Sequence, residues 1–212
     1  MKKSACMVKL GLLLLLALAF SLATGLERQQ QRISDSLVRL HVVDSSNDRR
    51  DQDIKLLVRD AVLQESGEIL AGAGDRADAM ALLGENLPRL EAVANDVLRE
   101  QGTGDRAQVT LRRELFGTRF YDTFTLPGGY YEALRVKIGA AEGKNWWCVV
   151  YPQLCMSAAA APEAVPAMGG MAPEDARLIS QGEISFRFRC LELLEDLLGY
   201  FRARGEGIPT SE

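Results

Sequence analysis

The hydrophobic period changes twice along this chain, and that alternation restricts the possible fold more than any single motif does. "LVRLHVV" (37–43) alternates, with Val38, Leu40 and Val42 on one side and Arg39 and His41 on the other, the signature of a half-buried strand. The period then lengthens. Ile54, Leu57, Val58, Ala61 and Val62 recur at i, i+3, i+4, i+7 and i+8, which predicts a helix with one buried face. Asn47 or Asp48 can cap that helix, and Asp51 and Asp53 place negative charge in its first turn. A second helical region over about 76–100 carries Met80, Leu83, Leu87, Leu90, Val93 and Val97. Gly84, Asn86 and Pro88 interrupt it, predicting a kink or two helices in series.

Beyond "QGTGD" the period returns to two. "AQVTLRREL" (107–115), "YEALRVKI" (131–138), "WWCVVY" (146–151) and "EISFRFR" (183–189) read as strands, and Leu191, Leu194, Leu198 and Phe201 mark a closing helix. "GAAEGKN" has the length of a hairpin turn between two of these strands, and 116–129 is a longer connection. Strands before and after a helical block predict an α+β fold: a single domain with a mostly antiparallel sheet and helices packed on one face.

The first residues set the compartment. Lys2, Lys3 and Lys9 lead into the apolar run Leu10–Leu22, with small residues at 21–24, which reads as a secretory signal cleaved after Ala23 or retained as an anchor. The organisation is then 1–23 signal or anchor, 24–36 polar lead-in, 37–203 the domain, and 204–212 a tail. Residues 156–181, rich in Ala, Pro and Met, read as a flexible excursion from the domain. Loss of 1–23 removes three lysines and no acids, taking the net charge from −4 to −7. Nucleic acid is not an expected partner of so acidic a chain.

Cleavage leaves Cys148, Cys155 and Cys190. In an oxidising compartment Cys148 and Cys155 are the natural pair, with the turn-forming Pro152 between them. Closing that loop is worth about 2.5 kcal/mol in the chain-entropy account. Cys190 is then odd, and reads as a buried thiol.

Catalytic machinery is sparse. His41 is the one histidine, so any nucleophile–histidine arrangement must use it, and no GxSxG, HExxH or GxxxxGK[ST] occurs. "DSSNDRRDQD" lacks the glycine and terminal glutamate of a calcium loop. Cys-x6-Cys is not a CxxC redox pair. No cofactor or metal is expected. Two features point to binding. The polar strand sides carry Arg39, His41, Arg112, Arg135, Lys137, Arg187 and Arg189 with Glu114 as their one acid, a basic face that could dock an anionic partner or a membrane. Trp146 and Trp147 must point to opposite sides of their strand, so one can enter the core while the other needs a cover or a partner.

"LVRLHVVDSSNDRRDQDIKLLVRDAVL", "ENLPRLEAVANDVLREQG" and "LPGGYYEALRVKIGAAEGKNWWCVVYPQLC" together resemble stage II sporulation protein R of endospore-forming bacteria, over roughly residues 34–155. The resemblance implies a non-catalytic signal, made in the forespore and exported to the intermembrane space. There it would trigger a membrane-embedded aspartic protease that processes the sigma-E precursor. It also implies a structural or receptor-facing unit of Asn145, Trp146, Trp147, Cys148 and Cys155, and Arg135 and Lys137 join the candidate partner-facing set from the basic face. The readings that compete with it are an extracytoplasmic metal-assisted hydrolase working through His41, and an envelope-binding module using the basic face, with peripheral membrane contact.

Overall fold

The computed structural model describes residues 27–121 and 124–154 continuously, together with Met171, Asp175, Ile179 and scattered positions before residue 26. A lead-in helix, α1, is continuous over residues 27–35. It is followed by β1 (Val38–Val43), α2 (Arg49–Leu70), α3 (Arg76–Glu85) and α4 (Leu87–Glu100). Next come β2 (Ala107–Phe116), the short β3 (Arg119–Phe120) and β4 (Thr125–Leu126), then β5 (Gly129–Ile138) and β6 (Asn145–Tyr151). This is the α+β domain that the periodicity predicts. The strand and helix expected over 183–201, with Cys190, lie outside the described residues, as does Cys155.

The main sheet has the order β2-β5-β1-β6. β5 runs antiparallel to β2 and parallel to β1, and β6 is antiparallel to β1. β1 is therefore central, and every one of its residues is buried. One face of the sheet carries Val38, Leu40, Val42, Val109, Leu134, Val136, Ile138 and Val150, which pack against Ile54, Val58, Val62, Leu83, Leu90 and Leu98 of the helices. The interruption at Asn86 does make two helices: Asn86 ends α3, begins α4, and donates from its side chain to Leu82 O at 2.8 Å.

Two expectations about α2 are corrected. Leu57 does not join the buried face and is 45 % exposed, while Lys55 is buried. The helix is rotated so that the Lys55 ammonium reaches Lys144 O at 2.7 Å and Gln52 Oε1 at 2.6 Å, which satisfies a carbonyl at the start of β6. Asp48 is the N-cap but its side chain makes no capping bond. Ser46 Oγ takes that part, donating to Asp51 Oδ2 at 2.6 Å and accepting from Asp48 N at 3.0 Å.

The "GAAEGKN" turn is also corrected. It does not close a β5–β6 hairpin, because β1 lies between those strands. Residues 139–144 instead bridge two strand spacings, roughly 10 Å, across the end of β1. They are tied to the residues that leave it: Gly143 N donates to Asp44 O at 2.8 Å and Glu142 N to Ser45 O at 3.4 Å. Gly139 has φ +55°, and a Cβ there would meet Ser45 Oγ and Asp105.

Under this strap lies Asp44, 1 % exposed, with Oδ1 accepting from Ser45 N at 2.7 Å and Oδ2 without a partner. Burial raises its pKa above the usual carboxylate value and lowers that of Lys55. A carboxyl whose folded pKa is raised stabilises the fold below its unfolded pKa and loses that contribution as pH rises through the interval up to the folded value. Wild type should therefore lose stability relative to Asp44→Asn as pH rises from about 3 through that interval, and the difference should level off above it. Urea midpoints of the two proteins across that range measure this, and a difference that grows in the opposite direction would refute it.

The second face of the sheet is not an open basic surface. Ile33 and Leu37, Phe124 and Leu126 of the 119–126 hairpin, Leu154 and Ile179 pack on Tyr131, Ala133 and Val149 there. Arg39, expected among the basic side chains of that face, is 0 % exposed. Within the segment read as an excursion, Asp175 and Ile179 are buried, and Asp175 forms a two-point ion pair with Arg32 of α1 at 3.0 Å.

Candidate functional site

The register of the sheet assembles most of the sequence-marked residues into adjacent rows on this second face. Arg135, His41 and Trp147 stand side by side on β5, β1 and β6. Lys137, Val43 and Asn145 form the next row towards the strap. Four of the five candidate partner-facing residues, Asn145, Trp147, Arg135 and Lys137, thus share one side. Trp146 does not. It points to the helix side, half-buried against the first core, with the Arg59 guanidinium 4.8 Å from its ring centre.

His41 is the hinge of the rows. Its Nδ1 lies 2.7 Å from Glu114 Oε2 and its Nε2 lies 2.8 Å from Asn145 Oδ1, so both ring nitrogens are engaged. Glu114, 10 % exposed, also accepts from Arg135 Nη1 at 2.8 Å and faces Arg112 Nε at 3.3 Å. One buried carboxylate therefore offsets three basic side chains and ties β2 to β5 and β1. A carboxylate with as little access to water as Glu114 persists only when such partners are in place.

The imidazole carries an aromatic stack on the other side. His41 and Trp147 are nearly parallel, 5.7 Å between ring centres, and Arg119 covers the indole at 3.6 Å. Trp147 is held between a histidine and an arginine, and stays half-buried at the rim. The 116–129 connection is thus its cover, one of the alternatives that the tryptophan pair raised. Deeper in, the Arg39 guanidinium sits 4.1 Å from the Phe116 ring and 5.0 Å from Tyr131, donating to Tyr121 Oη at 2.8 Å. Burial lowers the pKa of Arg39 and raises that of the Tyr131 phenol. Aromatic faces take the place of a carboxylate beside Arg39 among the described residues.

Such an arrangement suits presentation better than turnover. The imidazole has no unoccupied nitrogen aimed at a cleft, and Glu114 is committed to its basic neighbours. Among the described residues no group of three His, Cys, Asp or Glu could hold a metal ion. What reaches the rim is Asn145, exposed, with the edge of Trp147 beside it. Cys148 follows in the same strand, buried and level with Leu40 on the helix side. Glu114 could have been suspected from the sequence as the single acid on a basic face. Arg119 and Tyr121 could not, because nothing in their local pattern says that their hairpin folds back over β6.

The family model for stage II sporulation protein R matches residues 34–161, from the end of α1 past β6. Stage II sporulation protein R of Bacillus subtilis (strain 168) is 31 % identical over 129 residues, covering 61 % of this chain and 58 % of that protein. The match therefore spans little more than half the length of that relative. No solved structure matches.

Proposed function

The chain belongs to the stage II sporulation protein R family, and on that premise we propose that it is an exported, non-catalytic signal that activates a membrane-embedded aspartic protease to process the sigma-E precursor. Family membership carries the sporulation role; the steps beyond it are our reading. It works between forespore and mother cell. The observation that carries the reading is the bracing of Trp147: a large aromatic, stacked on His41 and capped by Arg119, presented beside exposed Asn145 on an edge strand. A rigid aromatic at a polar rim is what an interface anchor requires, since little conformational freedom is lost on contact. Activation then requires the signal to bind the active form of the protease better than the inactive one.

The same reading pairs Cys148 with Cys155, closing the turn that follows β6. Its support is the placement of Cys148, buried at 5 % in the middle of that strand and seven residues before Cys155.

Co-expression of this chain with the protease and the precursor in a non-sporulating host tests the proposal. Precursor cleavage should depend on the chain. Trp147→Ala should lower it about 30-fold, the loss of an interface anchor worth about 2 kcal/mol, with the circular dichroism spectrum unchanged. Arg119→Ala should lower it less, since the indole remains but is no longer held. Full cleavage by folded Trp147→Ala would refute the assignment of this surface, and no dependence on the chain would refute the signalling role.

A further inference from the structure

The helices cover only one end of their face of the sheet. α4 is fastened to the start of β2, where Asn95 Oδ1 accepts from Ala107 N at 3.0 Å and Glu91 Oε2 from Val109 N at 2.9 Å. Among the described residues no helix covers the opposite end of β2 and β5. Leu115 is 69 % exposed and its cross-strand partner Tyr130 is 54 % exposed. A soluble surface scatters such side chains singly, and an adjacent exposed pair with a basic neighbour marks a candidate contact site. Arg113 lies over the Tyr130 ring at 5.5 Å, opposite Glu132, and Arg112 is more than half exposed on the other side of the strand.

A second observation says what this end faces. Ser34 Oγ of α1 donates to Tyr130 O, and the Gln30 side chain fills the space where a Cβ on Gly129 would lie. The lead-in helix therefore joins the domain at this same end. Thr24 precedes Ser34 by only ten residues, and before it comes the apolar run 10–22. If that run enters a bilayer, either as a retained anchor or while still uncleaved, Leu115 and Tyr130 lie at the end of the domain that it brings nearest to lipid.

We propose that the Leu115–Tyr130 end of the sheet is a docking surface for an anionic bilayer. Leu115 and Tyr130 enter the interfacial layer, where amphipathic aromatic rings are favoured, and Arg113 meets phosphatidylglycerol-type headgroups. Docking here would leave the Trp147 rim, on β6 at the far side of the sheet, turned away from the contact. The proposal goes beyond the signalling reading and stands separately from it, because it involves neither protease nor precursor.

The test uses the full chain and vesicles. A Tyr130→Trp variant is bound to vesicles of phosphatidylglycerol and brominated phosphatidylcholine, with the parent chain supplying the baseline from Trp146 and Trp147. The indole introduced at position 130 should be quenched well beyond that baseline, and adding Leu115→Asp, at a position too exposed to disturb the fold, should abolish the excess. Arg113→Gln should lower partition onto these vesicles about fivefold, the contribution of one basic residue near an anionic surface. An unquenched indole at position 130 on a chain that still sediments with the vesicles would mean that the apolar run binds alone, and would overturn the proposal. So would partition indifferent to phosphatidylglycerol content and to Arg113→Gln. An emission shift of the Tyr130→Trp variant seen only when a protein partner is added would assign this surface to protein docking instead, and would overturn it equally.

Discussion

Gly143→Ala is expected to lower the unfolding free energy by about 3 kcal/mol. A Cβ at this position would collide with the carbonyl oxygen of Ser46 and lie 2.9 Å from its carbon and 3.0 Å from Asp44 O. All three are backbone atoms of the segment that leaves β1, so no side chain can rotate away. The bond from Gly143 N to Asp44 O draws the two segments together, and only a residue without a side chain lets them meet. The matched control is Gly84→Ala within α3, where an added Cβ touches nothing within 4 Å. It should gain about 0.5–1 kcal/mol from helix propensity. Urea unfolding of the two variants settles the matter: equal and small effects would mean that the strap is not held where it is described.

The second large effect belongs to Glu114. Its removal as Glu114→Ala should cost about 3–5 kcal/mol, because Arg135 and His41 are left facing each other without the carboxylate between them. Part of that cost is the stranded charge itself and not the lost bond. Arg135→Met in the same chain should then recover some of the stability, so the double variant should be more stable than the sum of the single effects predicts. Simple additivity in urea midpoints would show the two groups to be independent. Because His41 also supports the Trp147 ring, precursor cleavage should fall in Glu114→Ala even at temperatures where the domain stays folded.

How far these two positions could be anticipated from the sequence shows where pattern reading stops. Alternation fixes which side of a strand a residue occupies, and it placed Trp146 and Trp147 on opposite sides correctly, as it did the helix-facing Val38, Leu40 and Val42. It says nothing about which strands are neighbours. The short 139–144 connection looked like a hairpin because loop length is blind to a strand inserted from elsewhere in the chain, and β1 is that strand. The same blindness made Arg39 look exposed. A polar residue at an alternating position is solvated only if nothing covers it, and its cover comes from residues 33–37, 116–131 and 179, which no strand period connects. Leu57 failed for a related reason. The helical stripe was wide enough to admit two rotations, and the buried Lys55 bond to Lys144 O selected the one that turns Leu57 outward.

The central position of β1 also sets a timetable. Leu40 pairs with Leu134 on one side and with Cys148 on the other, so the middle strand is synthesised long before either neighbour. Contacts of such sequence separation form late and slowly. Until residue 151 has left the ribosome the central strand lacks one or both of its neighbours, and α2–α4 have only an incomplete sheet to pack on. A chain built in this order stays unfolded while it is short, which is the state a translocation channel accepts. Its architecture delays folding until the whole length is available, and so favours folding on the far side of the membrane that the proposed export crosses.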